Sequence, residues 1–320
     1  MSLTVFKKIV GHKPKLAELE KDLQQGNLAH AYLFAGPSGV GKFTIARTMA
    51  KALQCAKNSG GAACGECDNC LEIEKGIHAD TIEMADDGQS IKIEEIREIL
   101  NKVNLTRNGS YKIILIKNIE RMGIEAANAL LKTLEDPPPQ VVFMLTTNHL
   151  KEILPTIISR VRLMQFGALK KTELLDFLTS MFPMEDPENV EKAARFADGK
   201  AGLSLRYLGD PELMNEQAER SETIRNFLYK PDLAEQFAFV TAMVQKSKDE
   251  EDKGQINEFL ETFMAVMRSE MLELSGKTNQ EPVLKRAVRA IKEAQKAQGL
   301  LKNNINTKLL LENLMLALNE

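Results

Sequence analysis

Tryptophan is absent from this 320-residue chain, and aromatic residues make up only 5% of it. Leucine, alanine, lysine and glutamate dominate instead, which leans the chain towards helix. Nor is there a surplus of charge: 42 basic side chains stand against 45 acidic ones, a net −3. A free-standing nucleic-acid binder carries a basic excess, so any contact with DNA is expected to go through partners or one local patch. No apolar run approaches the ~18 residues of a membrane-crossing helix. The start, "MSLTVFKKIVG", has neither the apolar segment nor the cleavage site of a signal peptide. The expected location is the cytoplasm, with no membrane partner. Tandem repeats and low-complexity tracts are also missing. At this length the chain exceeds one small core, and two or three domains are expected.

Cysteine is scarce too, but its placement is informative. The four cysteines are Cys55, Cys64, Cys67 and Cys70, a C-x8-C-x2-C-x2-C pattern. A two-residue spacer lets two thiolates turn onto one ion, and zinc takes four soft ligands in a tetrahedron. The intervening "AKNSGGAACGECDN" is rich in glycine and small residues, as a tight metal knuckle requires. Disulfides and incidental thiols are the competing readings. Reducing cytoplasmic conditions disfavour the first, and confinement of every cysteine to one short window disfavours the second. With no open coordination position or nearby general base evident, the expected cofactor is a structural Zn²⁺ in a closed module.

What the chain has in plenty is alternation of strand and helix. "HAYLFAG" (30–36), "KIILI" (112–116) and "QVVFMLTT" (140–147) read as buried strands. "KFTIARTMAKALQC" and "IEAANALLKTLED" (124–136) have helical spacing, the latter stopped by Pro137, Pro138 and Pro139. Such alternation predicts a parallel sheet with helices on both faces. Beyond about residue 166 strand signals fade. Short helical patterns fill 168–208, and long amphipathic helices follow from about 212. Breaks are expected at "KSKDEEDKG" (246–254), read as a solvated loop, and at "SGKTNQEP" (275–282).

Between the first strand and the first of these helices lies "GPSGVGKFT" (36–44), which follows the phosphate-loop pattern G-x-x-x-x-G-K-[ST] with one departure. Gly36, Ser38, Gly39, Val40, Gly41 and Lys42 are the candidates for holding phosphates, through backbone N–H groups, the helix N-terminus and the lysine's charge. The hydroxyl that should follow the lysine and hold Mg²⁺ is replaced by Phe43. Thr44, kept among the candidate nucleotide-binding residues, comes one residue late, about 100° further round the helix, with its hydroxyl poorly aimed. The second strand should end in an acidic pair to hold metal and order water. It ends in Lys117 and Asn118, and Glu120, two residues further on, is expected to point elsewhere. The cradle is kept and the metal chemistry lost, so hydrolysis by this chain alone is not expected. ATP or ADP occupancy is left open.

In their order along the chain, "LAHAYLFAGPSGVGK", the cysteine insert, "ANALLKTLEDPPP", "VVFMLTTN" and "IISRV" resemble the bacterial DNA polymerase III clamp-loader subunits, which are AAA+ proteins. The resemblance covers about residues 5–210, and "NNINTKLLLENLMLAL" near the end is similar to the family's collar segment. It implies an α/β N-terminal AAA+ domain with the zinc insert (1–166, zinc module 55–70). A small helical lid domain (167–210) and an all-α C-terminal collar, an oligomerisation domain (211–320), would follow. It also implies residue roles: Asn148 as the polar sensor at the end of the third strand, and Arg206, in "GLSLRYL", as a weaker match to a second sensor. Arg160, in "SRV", matches an arginine acting in trans on a neighbour's ATP, although Val161 replaces the usual cysteine. Two branches of the family carry the zinc insert. Phe43, Lys117, Asn118 and "GIHAD" (76–80) are similar to the non-motor, delta-prime branch, and the length agrees, since tau carries a long C-terminal extension. The alternative is the ATP-hydrolysing gamma/tau motor. Implied partners are gamma/tau and delta in a ring of five and, indirectly, the sliding clamp and primed DNA.

Overall fold

The computed structural model describes residues 5–58, 61–84, 88–107, 109–246, 252–275, 281–301 and 306–319. Two compact units divide the chain, Met1–Arg206 and Tyr207–Glu320.

Among the described residues of the first unit five strands form one parallel sheet: β1 (Ala31–Ala35), β2 (Thr81–Met84), β3 (Lys112–Ile116), β4 (Val141–Thr147) and β5 (Arg162–Gln165), in the spatial order β2-β3-β4-β1-β5. β1, β3 and β4 are buried along their whole length, as expected of strands covered on both faces. Alternation divides their side chains between two cores. Tyr32, Phe34, Ile113, Leu115, Val142 and Met144 face a core shared with α1 (Lys13–Gln25) and α2 (Lys42–Gln54). Leu33, Ile114, Ile116, Phe143 and Leu145 face a second core. It is shared with α4 (Ile93–Val103) and α5 (Ile124–Glu135), while α3 (Asp68–Lys75) carries the last of the four cysteines, Cys70. The three strands and two helices read from the sequence are present within a residue or two. β2 and β5 were not read: each has only four residues, and neither is a buried apolar run.

The short α6 (Pro155–Ile158) leads into β5. Then come α7 (Lys171–Met181), α8 (Pro187–Phe196) and α9 (Ala201–Gly209), which runs across the division between the units. Among the described residues the second unit's elements are all helices: α10 (Pro211–Tyr229), α11 (Leu233–Lys246), α12 (Asp252–Leu274), α13 (Glu281–Leu300) and α14 (Thr307–Asn319). Its core gathers Phe227, Phe259, Phe263, Leu260 and Leu311 against an alanine stripe, Ala287, Ala290, Ala294 and Ala297, whose three- and four-residue spacing keeps it on one face of α13. Buried Glu270 accepts from Arg225 Nε (2.6 Å) and from the Tyr229 hydroxyl (2.7 Å), so its charge is paired. The breaks expected at 246–254 and 275–282 fall largely outside the described residues.

Candidate functional site: a phosphate cradle, a cysteine knuckle and an arginine end

The cradle follows β1 at the carboxyl end of the sheet, beside β4, where open parallel sheets place their ligands. Gly36 donates its N–H to the Thr147 carbonyl (3.1 Å). A Cβ at Gly36 would lie 1.9 Å from the Phe166 carbonyl oxygen, so only glycine fits. Gly39 (φ 80°) and Gly41 (φ 91°) take left-handed conformations and deliver the chain to the first turn of α2. Val40 is buried, while Ser38 and Thr44 are exposed. The carbonyl of Gly39 accepts from Gly202 N (2.8 Å), which seats the first turn of α9 on the loop.

Lys42 is buried, 7% exposed. Its ammonium donates to the carbonyls of Gly36 and Pro37 (2.7 Å each) and to Asn148 Oδ1 (2.8 Å). Burial pushes its pKa down to about 8; the negative charge of Glu120 opposes this and the positive charge of Lys200 adds to it. Asn148 Nδ2 donates in turn to Asn118 Oδ1 (2.9 Å), and Asn148 N to Glu120 Oε1 (2.9 Å). The structure corrects the expectation that Glu120 points elsewhere. Asn118 adopts a left-handed conformation (φ 51°), and the 3₁₀ turn Ile119–Arg121 swings the chain back, bringing Glu120 to the end of β4. Lys200 was also missed, because it reaches the loop only through the packing of α9's start on Gly39.

Where metal ligands would stand there is a different construction. The Phe43 ring lies beneath the Lys117 ammonium (4.1 Å to the ring centroid) and the Arg47 guanidinium (5.0 Å). Glu83 of β2 anchors both cations: both of its oxygens lie 2.8 Å from Arg47 NH2, and Oε1 is 3.5 Å from Lys117 Nζ. Arg206 is exposed, one turn beyond the part of α9 that touches the loop.

Arg160 is not with these residues. It precedes β5, whose Arg162 is in register with Tyr32 near the start of β1, so it sits at the amino end of the sheet, opposite the cradle. Ala29, His30, Leu134, Glu135, Arg160 and Arg162 line an open concavity of about 740 Å³ there. Arg160 pairs with Glu135 Oε1 (2.6 Å) and donates to the Thr156 carbonyl (2.9 Å) and Ser159 Oγ (3.1 Å), with its side chain 33% exposed. Arg162 is held more firmly: Glu18 and Asp22 pair with it and raise its pKa beyond the ordinary arginine value.

The four cysteines come together. Cys55 ends α2, Cys67 is the N-cap of α3, and Cys70 lies in its first turn. Their sulfurs all lie within 4.8 Å of one another, with Cys55 and Cys67 at 3.9 Å. A tetrahedron of thiolates with Zn–S bonds of about 2.3 Å puts sulfurs ~3.8 Å apart, so the set fits one ion. No disulfide joins them. The Cys64 and Cys67 amides donate to the sulfurs of Cys55 and Cys64 (3.3 Å each), fixing the knuckle. The Cys70 N–H is the main cause holding the Cys67 thiol down to about 6, towards the thiolate a metal needs, while burial pushes Cys70 up. This group can hold a metal ion.

A family model described as "DNA polymerase III, delta subunit" matches residues 11–170. The chain is 36% identical over 229 residues to the DNA polymerase III subunit tau/gamma of Haemophilus influenzae, covering 70% of this chain and 33% of that protein. It is 29% identical over 309 residues to the DNA polymerase III subunit delta' of Pseudomonas aeruginosa, 90% of each. It spans about a third to a little over half of the tau and gamma relatives it matches. A DNA polymerase III gamma subunit-related protein from Thermotoga maritima has a similar fold (TM-score 0.50, 18% identity, 96% of this chain and 98% of that one). Among the described residues no helix is long and apolar enough to cross a membrane.

Proposed function

The chain belongs to the DNA polymerase III delta-subunit family of clamp-loader proteins, and from that premise we propose that it is the non-motor, delta-prime-type subunit. In this reading it helps assemble a ring with gamma/tau and delta that loads the sliding clamp onto primed DNA, and it lends Arg160 to a neighbour's ATP. Residues 167–210 serve as a lid and 211–320 as a collar that binds the other subunits. The cysteine knuckle holds a structural zinc.

One observation carries this reading. The Phe43 ring, stacked under Lys117 and Arg47, occupies the place where a motor keeps a metal-binding hydroxyl and an acidic pair. A metal ion there would meet an apolar ring and positive charge, whereas phosphoryl transfer requires a cation bridging the phosphates. Arg160 supports the second half of the reading. It lies at the opposite end of the sheet from the chain's own cradle, so its guanidinium is available only to a ligand approaching from outside.

The motor reading has its own support, because the identity to tau/gamma, 36% over 70% of the chain, exceeds the 29% to delta'. Steady-state ATPase of the purified chain separates the two. Negligible turnover is expected. Turnover at the level of an ordinary motor, abolished by Lys42→Ala, would assign the chain to the motor branch.

A further inference from the structure

Phosphate loops of this pattern take a nucleotide together with Mg²⁺, which sits on the hydroxyl after the lysine. The residues here fit one half of that ligand. Gly39 and Gly41 hold the turn that opens α2, and its N-terminus and Lys42 face the loop. Lys42 is buried with three neutral oxygens as its hydrogen-bond partners, the two loop carbonyls and Asn148. A buried ammonium held by neutral acceptors gains from exchanging them for anionic oxygens.

The other half does not fit. Mg²⁺ demands oxygen ligands in an octahedron. Phe43 offers none, and of the two described carboxylates nearby one is held by cations while the other leaves a single buried oxygen, Glu120 Oε2, without a hydrogen-bond partner, far short of an octahedral set. Glu83 pairs with Arg47 and Lys117, and Glu120 accepts from the Asn148 amide. Among the described residues four cations stand around the loop, Lys42, Arg47, Lys117 and Lys200, against Glu83 and Glu120, with Glu74 3.9 Å from the far side of Arg47.

We propose that the cradle takes a nucleoside di- or triphosphate free of divalent metal, with the Lys117 ammonium and the N-terminus of α2 meeting the charge that Mg²⁺ otherwise meets. The proposal rests on reading the chain as a clamp-loader subunit that does not hydrolyse ATP. It reverses the usual role of the metal. An uncomplexed triphosphate carries two more negative charges than its Mg²⁺ complex, so a cradle built from cations alone prefers the bare anion.

Calorimetric titration of the full chain with ATP and with ADP, once in EDTA and once in excess Mg²⁺, tests this without any variant. The expected result is binding in EDTA, about threefold to tenfold tighter for ATP than in Mg²⁺. Lys117→Gln, checked for an unchanged circular dichroism spectrum, should lose that preference, and Lys42→Ala should lose binding in both buffers. Binding that requires Mg²⁺ would overturn the proposal, as would no binding in either buffer; both leave the non-motor reading standing. Lys117→Gln binding ATP with the wild-type preference would remove Lys117 from its stated role. Turnover of ATP by the isolated chain in Mg²⁺ would instead overturn the functional reading beneath it.

Discussion

The two ends of the sheet are built on opposite plans. At the carboxyl end most charged groups around the loop are partnered from within: Lys42 by the loop's own carbonyls and Asn148, one oxygen of Glu120 by an amide while its buried Oε2 has no hydrogen-bond partner, and Lys117 and Arg47 by Glu83 and the Phe43 ring. At the amino end Arg160 stands one-third exposed at the rim of an open concavity, paired with a carboxylate that is itself 52% exposed. An end whose cations are held against an aromatic ring resists an incoming metal, whereas an arginine whose ion-pair partner is half exposed can exchange that partner for a ligand from solvent. In our reading the difference separates a subunit that supplies a catalytic group from one that uses its own.

The largest expected effect tests whether these ends stand independently of the knuckle beside them. Replacing Cys67 and Cys70 by serine should take bound zinc from one per chain to none in elemental analysis. Structural zinc sites in isolated fingers carry ~10–16 kcal/mol. Here the loss should be local, opening 55–70 to limited proteolysis while most of the helical circular dichroism remains. Collapse of the whole first unit would mean that the cradle depends on the metal.

Phe43→Ala comes next. The ring is partly buried against the sheet core and carries two cations, so its loss should cost about 2–3 kcal/mol in urea unfolding. A cost near zero would mean that the stack is ornamental and the carboxyl end less closed than described.

Lys42 gives a smaller effect of opposite sign. Its pKa falls from the ordinary 10.5 to about 8 on folding, so the fold favours the neutral amine. Stability is then highest above 10.5, declines as pH falls from there to 8, and bears the full cost below 8. Lys42→Met should therefore stabilise the chain at pH 7 by roughly 1–2 kcal/mol. The gain should shrink as pH rises from 8 towards 10.5. A destabilised variant at pH 7 would show that the ammonium's hydrogen bonds outweigh its burial. The smallest effect belongs to the amino end. Glu135→Ala breaks a half-exposed ion pair and should cost less than ~1 kcal/mol in thermal unfolding. A larger loss would mean that Arg160 is a structural strut.

Much of the fold was legible because β1, β3 and β4 are buried on both faces and so appear as unbroken apolar runs. β2 and β5 escaped notice because four residues with polar positions carry no such signal. Missing β2 concealed Glu83, the anchor of the Phe43 stack. The cysteine spacing was legible as a knuckle because its ligands are local. Glu120 and Lys200 were not legible as cradle residues, since a left-handed turn at Asn118 aims one and the packing of α9 on Gly39 delivers the other. The departures from the phosphate-loop pattern at Phe43, Lys117 and Asn118 could be read directly. How their side chains are arranged required the tertiary structure.

The account turns on whether Arg160 serves a neighbour. A guanidinium presents a planar fork that stays charged at all relevant pH values, and fingers of this kind contribute ~10³–10⁵ in rate at the site they serve. The direct measurement is DNA-stimulated ATPase and clamp loading by a complex reconstituted with gamma/tau and delta, carrying either the wild-type chain or Arg160→Ala. The variant should fold, join the complex and lower both activities, and Arg160→Lys should rescue poorly because a point charge does not reproduce the fork. A complex carrying Arg160→Ala that hydrolyses ATP and loads clamps at the wild-type rate would contradict the account and leave Arg160 an ordinary surface residue.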